Sequence, residues 1–438
     1  MGYYFLGIQM FVIEKVRIEG LWDHKSIEFI CDKNFNFLIG ENGTGKTTII
    51  NLIAAVLLVD FEKLDKIPFK EVSIYLKKDK ERKKPSVTVV KRPKDEVPFF
   101  DIEYRIKESQ KSKEKIYDLD QYESERLFRK ATRFFYDKRY SSEHIEIRHE
   151  ISKYLNINWL SVHRNIEKTK IDNEDVYRPA IDVKLELLNN ELVKFFSTLT
   201  KKYSDEVLEF QKKTLLSVLT SEKENSILAF SDTIDVENEK KLLGDIFSIL
   251  GVEERKYKEK VNVHLEKFNK AIEYRKNNDG RMKFEHILSM MNVWRGHSLI
   301  SEYEKLQNQN NLIFSPKNKF IETINKLFSN RKKLNISEKN ELNISVVLNG
   351  NEKPIPISEL SSGEKQLLII LGQALLQEEK ATIFIADEPE LSLHLKWQVE
   401  LTKSILTLNP NAQIIFATHS PDIVAEHQSK VIRMENML

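Results

Sequence analysis

The chain has 438 residues, of which 69 are lysine or arginine and 67 are aspartate or glutamate, giving a formal charge of +2. This length allows two or three domains of ordinary size, and a hydrophobic share of 41% supports a folded core. The near-neutral balance excludes a global electrostatic attraction for nucleic acid, so any such contact must come from a local patch.

The cysteine content and the apolar segments indicate the compartment. The single cysteine, Cys31, excludes an intrachain disulfide and suits a reducing environment. Residues 1–11 are apolar but short and lack a basic start, and no later stretch has the length needed to cross a bilayer. We therefore expect a cytoplasmic protein with no signal peptide and no contact with a membrane.

The chain begins with strands and then a glycine-rich stretch. Alternating patterns predict strands at 12–18 and 26–29, and a third strand at 36–39 runs into the sequence G-x-x-x-x-G-K-[ST]. The apolar pattern from Thr47 to Leu58 predicts a helix, so the stretch joins a strand to a helix, as a phosphate-binding loop requires. A glycine-rich turn with a solvated lysine is the alternative. The predicted nucleotide-binding residues of this loop are Gly40, Glu41, Asn42, Gly43, Thr44, Gly45, Lys46, Thr47 and Thr48.

Two residues of the predicted phosphate-binding loop have chemical roles of their own. Glycines let the backbone N–H groups point inward at the positive end of the following helix, where they attract anions. Lys46 is placed to neutralise the β- and γ-phosphates, and the hydroxyl of Thr47 is placed to ligate Mg²⁺.

A β-rich region with a basic tip follows the first helix. Between 77 and 94, nine residues are lysine or arginine and two are acidic. A solvated hairpin tip is the first interpretation, and a contact for nucleic acid phosphates or for an acidic partner protein is the second. The pattern of 107–150 is charged and mostly helical. Strands are predicted at 71–76, 86–91, 99–106 and 157–162.

The middle of the chain is predicted to be helical. From about 181 to 275 the sequence is rich in lysine and glutamate, and a second apolar run at 242–268 could lie against the first. This pattern indicates a helical hairpin or a short coiled coil, with breaks at Gly251 and at 277–280. Strands return at 345–348 and 354–357. The first apolar run consists of Leu185, Leu188, Leu192, Phe195 and Leu199.

Three short motifs in the last quarter of the chain carry polar side chains at the ends of predicted elements. Ser361, Ser362 and Gly363 open a helix, whose exposed N–H groups suit a phosphate, although an ordinary helix cap is the alternative. A buried strand at 382–386 ends in Asp387, which can hold Mg²⁺, and Glu388, which can act as general base on water.

The third of these motifs contains a histidine. A buried strand at 413–417 is followed by Thr418 and His419. In an open α/β sheet, ligands bind beyond the carboxyl ends of the strands, so we expect His419 to reach the γ-phosphate or the attacking water. A structural role is the usual alternative for a lone histidine.

In this order, the four motifs resemble those of an ABC-type ATPase: Walker A at 40–48, the signature at 360–364, Walker B at 387–390 and the switch histidine at 418–421. The resemblance implies an α/β fold: an ABC-type P-loop ATPase head with a mixed sheet and a β-rich lobe, split by a helical insertion like a short coiled coil. It also implies ATP and Mg²⁺ as cofactors, with Lys46, Glu388 and His419 as catalytic residues.

The spacing of the motifs narrows the resemblance. More than three hundred residues separate Lys46 from Ser361, whereas transporter ATPases place these motifs much closer. The chain is therefore similar to the RecF, SMC, Rad50 and OLD group, and most similar to OLD-type ATPases of bacterial anti-phage systems. The similarity covers about 10–60 and 340–438 well. The expected domains are 1–180 for the first part of the head, 181–313 for the insertion and 314–438 for the second part of the head.

The resemblance also implies partners. In this group the P-loop of one protomer faces the signature of another, so we expect at least a homodimer. OLD nucleases continue into a Toprim domain, but this chain stops soon after His419 and has no HNH motif, so a nuclease is expected in trans, together with a phage-derived trigger. The ATPase subunit of PARIS systems (AriA), with a Toprim partner, is favoured over that of Septu, with an HNH partner.

Several alternatives remain open at this point. A RecF-like DNA-repair ATPase would bind DNA directly through 77–94, and a scaffold could bind ATP but barely hydrolyse it. A transporter motor is disfavoured by the spacing. The sequence shows no clear glutamine for the loop that links Mg²⁺ to the insertion in this superfamily.

Overall fold

The computed structural model describes residues 11–93, 100–118, 142–160, 166–171, 174–217, 234–278, 281–329, 331–348 and 351–437. The chain forms two compact units. We call Met1–Val193 together with Pro316–Leu438 the head unit, and Lys194–Ser315 the helical unit.

The described strands and helices are numbered in chain order. The strands are β1 Val12–Leu21, β2 Lys25–Ile30, β3 Phe35–Ile39, β4 Glu71–Lys77, β5 Ser86–Pro93, β6 Phe100–Lys107, β7 Lys115–Asp118, β8 Ile157–Leu160, β9 Ile166–Ile171, β10 Glu174–Pro179, β11 Lys332–Ile336, β12 Leu342–Leu348, β13 Asn351–Ile355, β14 Thr382–Asp387, β15 Ala412–Ala417 and β16 Val431–Arg433. The helices are α1 Lys46–Leu58, α2 Phe61–Lys66, α3 Ser142–Ser152, α4 Ala180–Ser217, α5 Val236–Ile249, α6 Glu254–Asn277, α7 Phe284–Phe328, α8 Ser362–Leu376, α9 Leu395–Leu408 and α10 Pro421–Val424.

A parallel sheet forms the centre of the head unit. Its strand order is β16-β3-β15-β14-β8, and each neighbouring pair is parallel. Continuous apolar runs build β14 and β15, which are almost fully buried, as strands covered on both faces must be. The carboxyl ends of β3, β15 and β14 therefore lie side by side at one edge.

A second, antiparallel sheet forms the β-rich lobe of the head unit, with the order β2-β1-β4-β5-β6-β7. Helix α1 contacts β14 and β15 of the parallel sheet, and from the lobe the Tyr104 hydroxyl donates to the Val56 carbonyl at 3.0 Å. The buried amide of Gln413 joins the two sheets, because it both donates to the Ile13 carbonyl and accepts from the Ile13 N–H, each at 2.8 Å. The lobe and the parallel sheet thus share one core.

These observations confirm the predicted α/β class, with parallel and antiparallel strands in separate sheets. The prediction of mostly helical structure for 107–150 is wrong for Lys115–Asp118, which form β7 and pair with β6, and it is confirmed for 142–150, which lie in helix α3. Residues 119–141 lie outside the described residues. Among the described helices, none combines the length and the apolar character that crossing a bilayer requires.

The helical register of α4 differs from the predicted one at a single position. Leu185, Leu188, Leu192 and Leu199 are buried as predicted, but Phe196 is fully buried and Phe195 is only partly buried. A spacing of four residues after Leu192 keeps the apolar stripe on one face, because a helix turns once every 3.6 residues.

The helical unit has a core of its own. Helix α5 ends at Ile249, Gly251 adopts a left-handed φ of +74°, and α6 starts at Glu254, so the predicted break at Gly251 is present. The buried carboxylate of Glu239 on α5 pairs with Nδ1 of His297 on α7. The core contains Phe210, Leu243, Ile246, Val261, Leu265, Phe268, Ala271, Met290, Val293, Ile300, Tyr303 and Leu306.

The pairing of His297 with Glu239 predicts that the helical unit becomes less stable as the pH rises from 6.5 to 8. The hydrogen bond to Glu239 raises the pKa of His297 above its usual 6.5. A raised folded-state pKa means that the contribution to stability is complete below pH 6.5 and is lost as the pH passes through the folded pKa. Thermal unfolding should therefore show a smaller difference between wild type and His297→Gln at pH 8 than at pH 6.5.

His264 provides the control for this measurement. Burial lowers the pKa of His264 below its usual 6.5, so above pH 6.5 its neutral form predominates in the folded state while the unfolded state still loses protons. The stability of wild type relative to His264→Gln should therefore not decrease over the same range. A difference for His297→Gln that likewise does not decrease would contradict the expected linkage.

Candidate active site

The glycine-rich loop joins β3 to α1 at the edge of the parallel sheet. Gly43 and Gly45 have φ values of +86° and +79°, a region that glycine enters without steric cost. The Nζ of Lys46 donates to the carbonyls of Gly40 at 2.8 Å and Glu41 at 2.9 Å, so the loop wraps around the ammonium group. Burial lowers the pKa of Lys46, which is 5% exposed.

The start of helix α1 is open to an anion. Gly45 is the cap residue and offers no side-chain oxygen, and the first turn contains no acidic residue. The first N–H groups of a helix have no partner inside the helix, and the helix dipole makes that end positive. The predicted phosphate-binding residues Gly40 to Thr48 therefore form a cradle that suits phosphate oxygens.

Thr47 and Asp387 come together from distant parts of the chain. The Thr47 hydroxyl, at the start of α1, donates to Oδ1 of Asp387, at the end of β14, at 3.2 Å. Both supply the hard oxygen atoms that Mg²⁺ prefers, and this ion is often held by one or two protein groups plus substrate phosphates. The residue types and their proximity fit a magnesium ion, and no larger cluster of His, Cys, Asp or Glu suited to a metal occurs in the part of the chain that the structure describes.

Glu388 and His419 also lie close together, at the ends of neighbouring strands. The Glu388 N–H donates to the carbonyl of Ala417 at 2.8 Å, and its φ of +47° is left-handed, an unusual conformation for a residue with a side chain. The Nε2 of His419 lies 3.7 Å from Oε1 of Glu388. Both side chains are partly exposed, so a ligand can reach them.

The signature residues are placed at the start of α8. The Ser361 hydroxyl accepts from the Glu364 N–H at 3.3 Å in a capping box, so the helix-cap interpretation holds in this structure. Gly363 is packed so tightly that an added Cβ would lie 2.3 Å from the Ser392 carbonyl oxygen. Among the described residues, no hydrogen bond or ion pair joins Ser361, Ser362 or Gly363 to the phosphate-binding loop of the same chain.

Two acidic residues near the site were not predicted to take part in it. Oε1 of Glu435 accepts the Glu41 N–H at 2.8 Å, and hydrogen bonds from backbone N–H groups lower the pKa of Glu435. The buried carboxylate of Glu390 accepts hydrogen bonds from the segment that contains His419. The sequence offered a signal only for Glu390, which is an acidic residue two positions after Glu388.

Five of the eight described basic residues in the 77–94 run contact carboxylates or backbone carbonyls of the chain, and Lys94 lies outside the described residues. Lys91 is buried, and its Nζ donates to three carbonyls at the end of α2 at 2.7 to 3.0 Å, so it acts as a helix cap. Burial lowers the pKa of Lys91 to about 8. Other members form ion pairs with carboxylates: Lys78 with Glu81, Lys83 with Glu108, Lys84 with Glu14 and Arg92 with Glu103.

Comparison with known proteins identifies the family. The model of the family AAA_21, described as "AAA domain, putative AbiEii toxin, Type IV TA system", matches residues 35–425. This match includes every predicted site residue from Gly40 to His419. The chain belongs to this family.

The similar proteins include a bacterial protein named as a probable ATPase and two Smc head domains. "Retron Vc95 probable ATPase" of Vibrio cholerae serotype O1 biovar El Tor is 32% identical over 174 residues, which cover 36% of this chain and about a third (34%) of that relative. An Smc head domain from Pyrococcus furiosus is 15% identical with a TM-score of 0.44, covering 97% of this chain and 93% of that one. One from Pyrococcus yayanosii is 14% identical with a TM-score of 0.38, covering 97% and 95%.

Proposed function

We propose that this AAA_21 ATPase binds ATP with Mg²⁺ at the edge of the parallel sheet and hydrolyses it to ADP and phosphate. The observation that carries the proposal is that the phosphate-binding loop, Asp387 with Glu388, and His419 follow three adjacent parallel strands. Ligands of open α/β sheets bind at this edge.

Each group then has a chemical task in phosphoryl transfer. The N–H groups of the loop and Lys46 bind the phosphates, while Thr47 and Asp387 hold Mg²⁺, which neutralises charge on the phosphate oxygens when it is bound. Glu388 accepts a proton from the attacking water or orients it, and His419 donates a hydrogen bond to the γ-phosphate.

We also propose that a second copy of the chain completes the site. Ser361 and Ser362 are exposed, and two exposed apolar side chains lie near in sequence to Ser392, which abuts Gly363: Leu391 at 44% in the loop and Leu395 at 62% at the start of α9. Apolar side chains beside a polar anion-binding helix start suit a surface that another protomer covers. A homodimer with two ATP molecules, each held between the loop of one chain and the signature of the other, uses all of these groups.

The signature helix α8 contacts α4, the helix that leads into the insertion. Lys365, on the signature helix α8, pairs with Asp182 in the first turn of α4 at 2.6 Å, and Gly372 of α8 packs against Leu188 of α4. Helix α4 continues into the helical unit as one element. If ATP binding moves α8, these contacts would move α4 as well. Such coupling suits an ATPase whose output is a conformational signal.

The biological role that we propose is control of a separate nuclease, of Toprim or HNH type, in a bacterial anti-phage complex that responds to a phage-derived trigger. The motifs similar to OLD-type ATPases support this role, as does the partial similarity to an ATPase named for a retron. The alternative is a RecF-like DNA-repair ATPase. The ion pairs that Lys78, Lys83, Lys84 and Arg92 form with carboxylates of the chain disfavour that alternative, because basic side chains that are already paired neutralise fewer DNA phosphates and release fewer counterions.

Substitution at Leu395 tests the dimer together with the activity. We expect wild type to release phosphate from MgATP and to have the native mass of a dimer or larger oligomer with ATP. Leu395→Asp should weaken association at least about tenfold and lower hydrolysis in parallel, because a charge would enter an apolar contact. Ile145→Asp is the matched control, since Ile145 is 58% exposed on α3 and should change neither property.

The partner is identified by expressing the tagged chain from its own operon and purifying it, with whatever binds to it, in the presence of ATP. A stoichiometric nuclease supports the regulatory role, whereas co-purified DNA without a nuclease favours the repair alternative. A protein that stays monomeric with ATP and releases no phosphate contradicts the proposal.

A further inference from the structure

Glu390 is a buried carboxylate that forms no ion pair with any cation of the described residues. Its side chain follows β14, two residues after Glu388, and is only 8% exposed. No lysine, arginine or histidine side chain pairs with it in the described ranges of the chain. Burying a carboxylate is costly unless hydrogen bonds compensate, so the donors that surround Glu390 indicate its role.

Within the described part of the chain, the donors to the Glu390 side chain all come from one short segment. Its Oε1 accepts from the Thr418 hydroxyl, from the His419 N–H at 3.0 Å and from the Ser420 N–H at 3.2 Å. Its other oxygen, Oε2, is buried and has no hydrogen-bond partner among the described residues. Among the described residues, the side chain of Glu390 thus directs its hydrogen bonds to the three residues Thr418 to Ser420, with His419 in the middle.

From this geometry we infer that Glu390 is a positioning residue, which holds the backbone at His419 so that the imidazole meets Glu388 and the γ-phosphate. The inference rests on the proposed ATPase activity. We call the hydrogen bonds from Thr418, His419 and Ser420 to Glu390 the clamp. The clamp links two strand ends, because Glu390 belongs to the segment after β14 and His419 to the segment after β15. The distance of 3.7 Å between His419 Nε2 and Glu388 Oε1 is set by this clamp together with the Glu388 N–H bond to Ala417.

A neighbouring contact extends the clamp towards the signature helix. The Nε2 of Gln366, on α8, donates to the carbonyl of Pro389 at 2.5 Å, and Gln366 is buried. Pro389 stands between Glu388 and Glu390, so the segment that carries both acids is fixed from α8 on one side and bonded to the histidine segment on the other. A shift of α8 would therefore reach His419 through Glu390.

The test is a double-mutant cycle with His419, measured as single-turnover phosphate release at saturating MgATP. We expect Glu390→Leu to lower the rate about 100-fold, since a displacement of about 1 Å in a reacting group has an effect of that size. ATP binding should change little, because no hydrogen bond or ion pair of the described residues joins Glu390 to the phosphate-binding loop. In a His419→Ala background, Glu390→Leu should lower the rate no further, because its effect acts through the histidine.

Two further variants keep the test valid if Glu390→Leu folds poorly. Glu390→Gln keeps the shape of the side chain and one acceptor oxygen, so it should retain more of the wild-type rate than Glu390→Leu. Thr418→Val removes a single donor and should give a rate between those of wild type and Glu390→Leu. In the His419→Ala background, Thr418→Val should again lower the rate no further.

Glu150 is the matched control, as another buried glutamate of the head unit that bonds to Lys115 and Lys153 instead. Any loss of rate in Glu150→Leu should multiply with that of His419→Ala. Multiplicative losses for Glu390→Leu and His419→Ala would overturn the positioning role while leaving the ATPase proposal intact. A wild-type protein that releases no phosphate would instead show that the proposed function itself has failed.

Discussion

Replacing Glu388 with glutamine should reduce the rate of ATP hydrolysis by about 10² to 10⁴-fold, the usual contribution of a general base. Glutamine has the same shape but cannot accept a proton from water at neutral pH. The left-handed backbone of Glu388 and its N–H bond to Ala417 do not depend on the carboxylate, so the fold should be retained. ATP binding should persist, and the ATP-bound dimer should accumulate because hydrolysis no longer resets it. Phosphate release and native mass with ATP measure the two effects.

Glu379 provides the control for this variant. It precedes β14 at the opposite end of the strand from Glu388, and it also has a left-handed φ, +57° against +47°. Its carboxylate lies 3.5 Å from the Lys319 ammonium on the surface. Glu379→Gln should therefore share any backbone effect but keep the wild-type rate. A Glu388→Gln protein that hydrolyses ATP as fast as the Glu379→Gln protein would remove Glu388 from the mechanism.

The parts of this molecule that local chemistry specifies could be predicted from the sequence. The phosphate-binding loop needs glycines at fixed spacing between a strand and a helix. The sequence of residues 36–58 is therefore enough to predict this strand, loop and helix. The buried strands β14 and β15 are continuous apolar runs that end in polar residues, which marks both their burial and their functional end. The proximity of Thr47 and Asp387 then follows from the general rule for parallel sheets.

The parts that depend on long-range packing could not be predicted in this way. Lys91 lies in a basic run that the sequence predicts to be a solvated tip, yet its ammonium group caps α2. The partner carbonyls come from 24 to 27 residues earlier in the chain, so the local pattern contains no sign of this contact. The clamp role of Glu390 depends on the register between β14 and β15, which one sequence does not contain. The shift from Phe195 to Phe196 reflects two adjacent aromatic residues that satisfy the apolar pattern almost equally well.

A methyl group at Gly45 should weaken ATP binding far more than the same group at Gly43. Both glycines have left-handed φ values, so alanine costs about 1–2 kcal/mol of backbone strain at either position. The surroundings differ, since an added Cβ at Gly45 would lie 2.2 Å from Cη2 of Trp22, while at Gly43 nothing lies within 4 Å. Overpacking of this kind adds about 1–3 kcal/mol. We expect Gly43→Ala to raise the Kd for ATP about tenfold and Gly45→Ala to raise it at least about 30-fold, as measured by titration calorimetry.

Removal of the indole separates the steric part of this effect from the strain. The backbone of Trp22 is held by its N–H bond to the Pro68 carbonyl at 3.1 Å, so the indole cannot retreat with the main chain. Trp22→Ala combined with Gly45→Ala should therefore bring the loss of affinity, relative to Trp22→Ala alone, down to the level of Gly43→Ala. If the double variant binds ATP as poorly as Gly45→Ala, contact with Trp22 is not the cause. In that case the left-handed backbone at Gly45 alone accounts for the requirement for glycine, because the N–H groups of the loop can surround a phosphate only in that conformation.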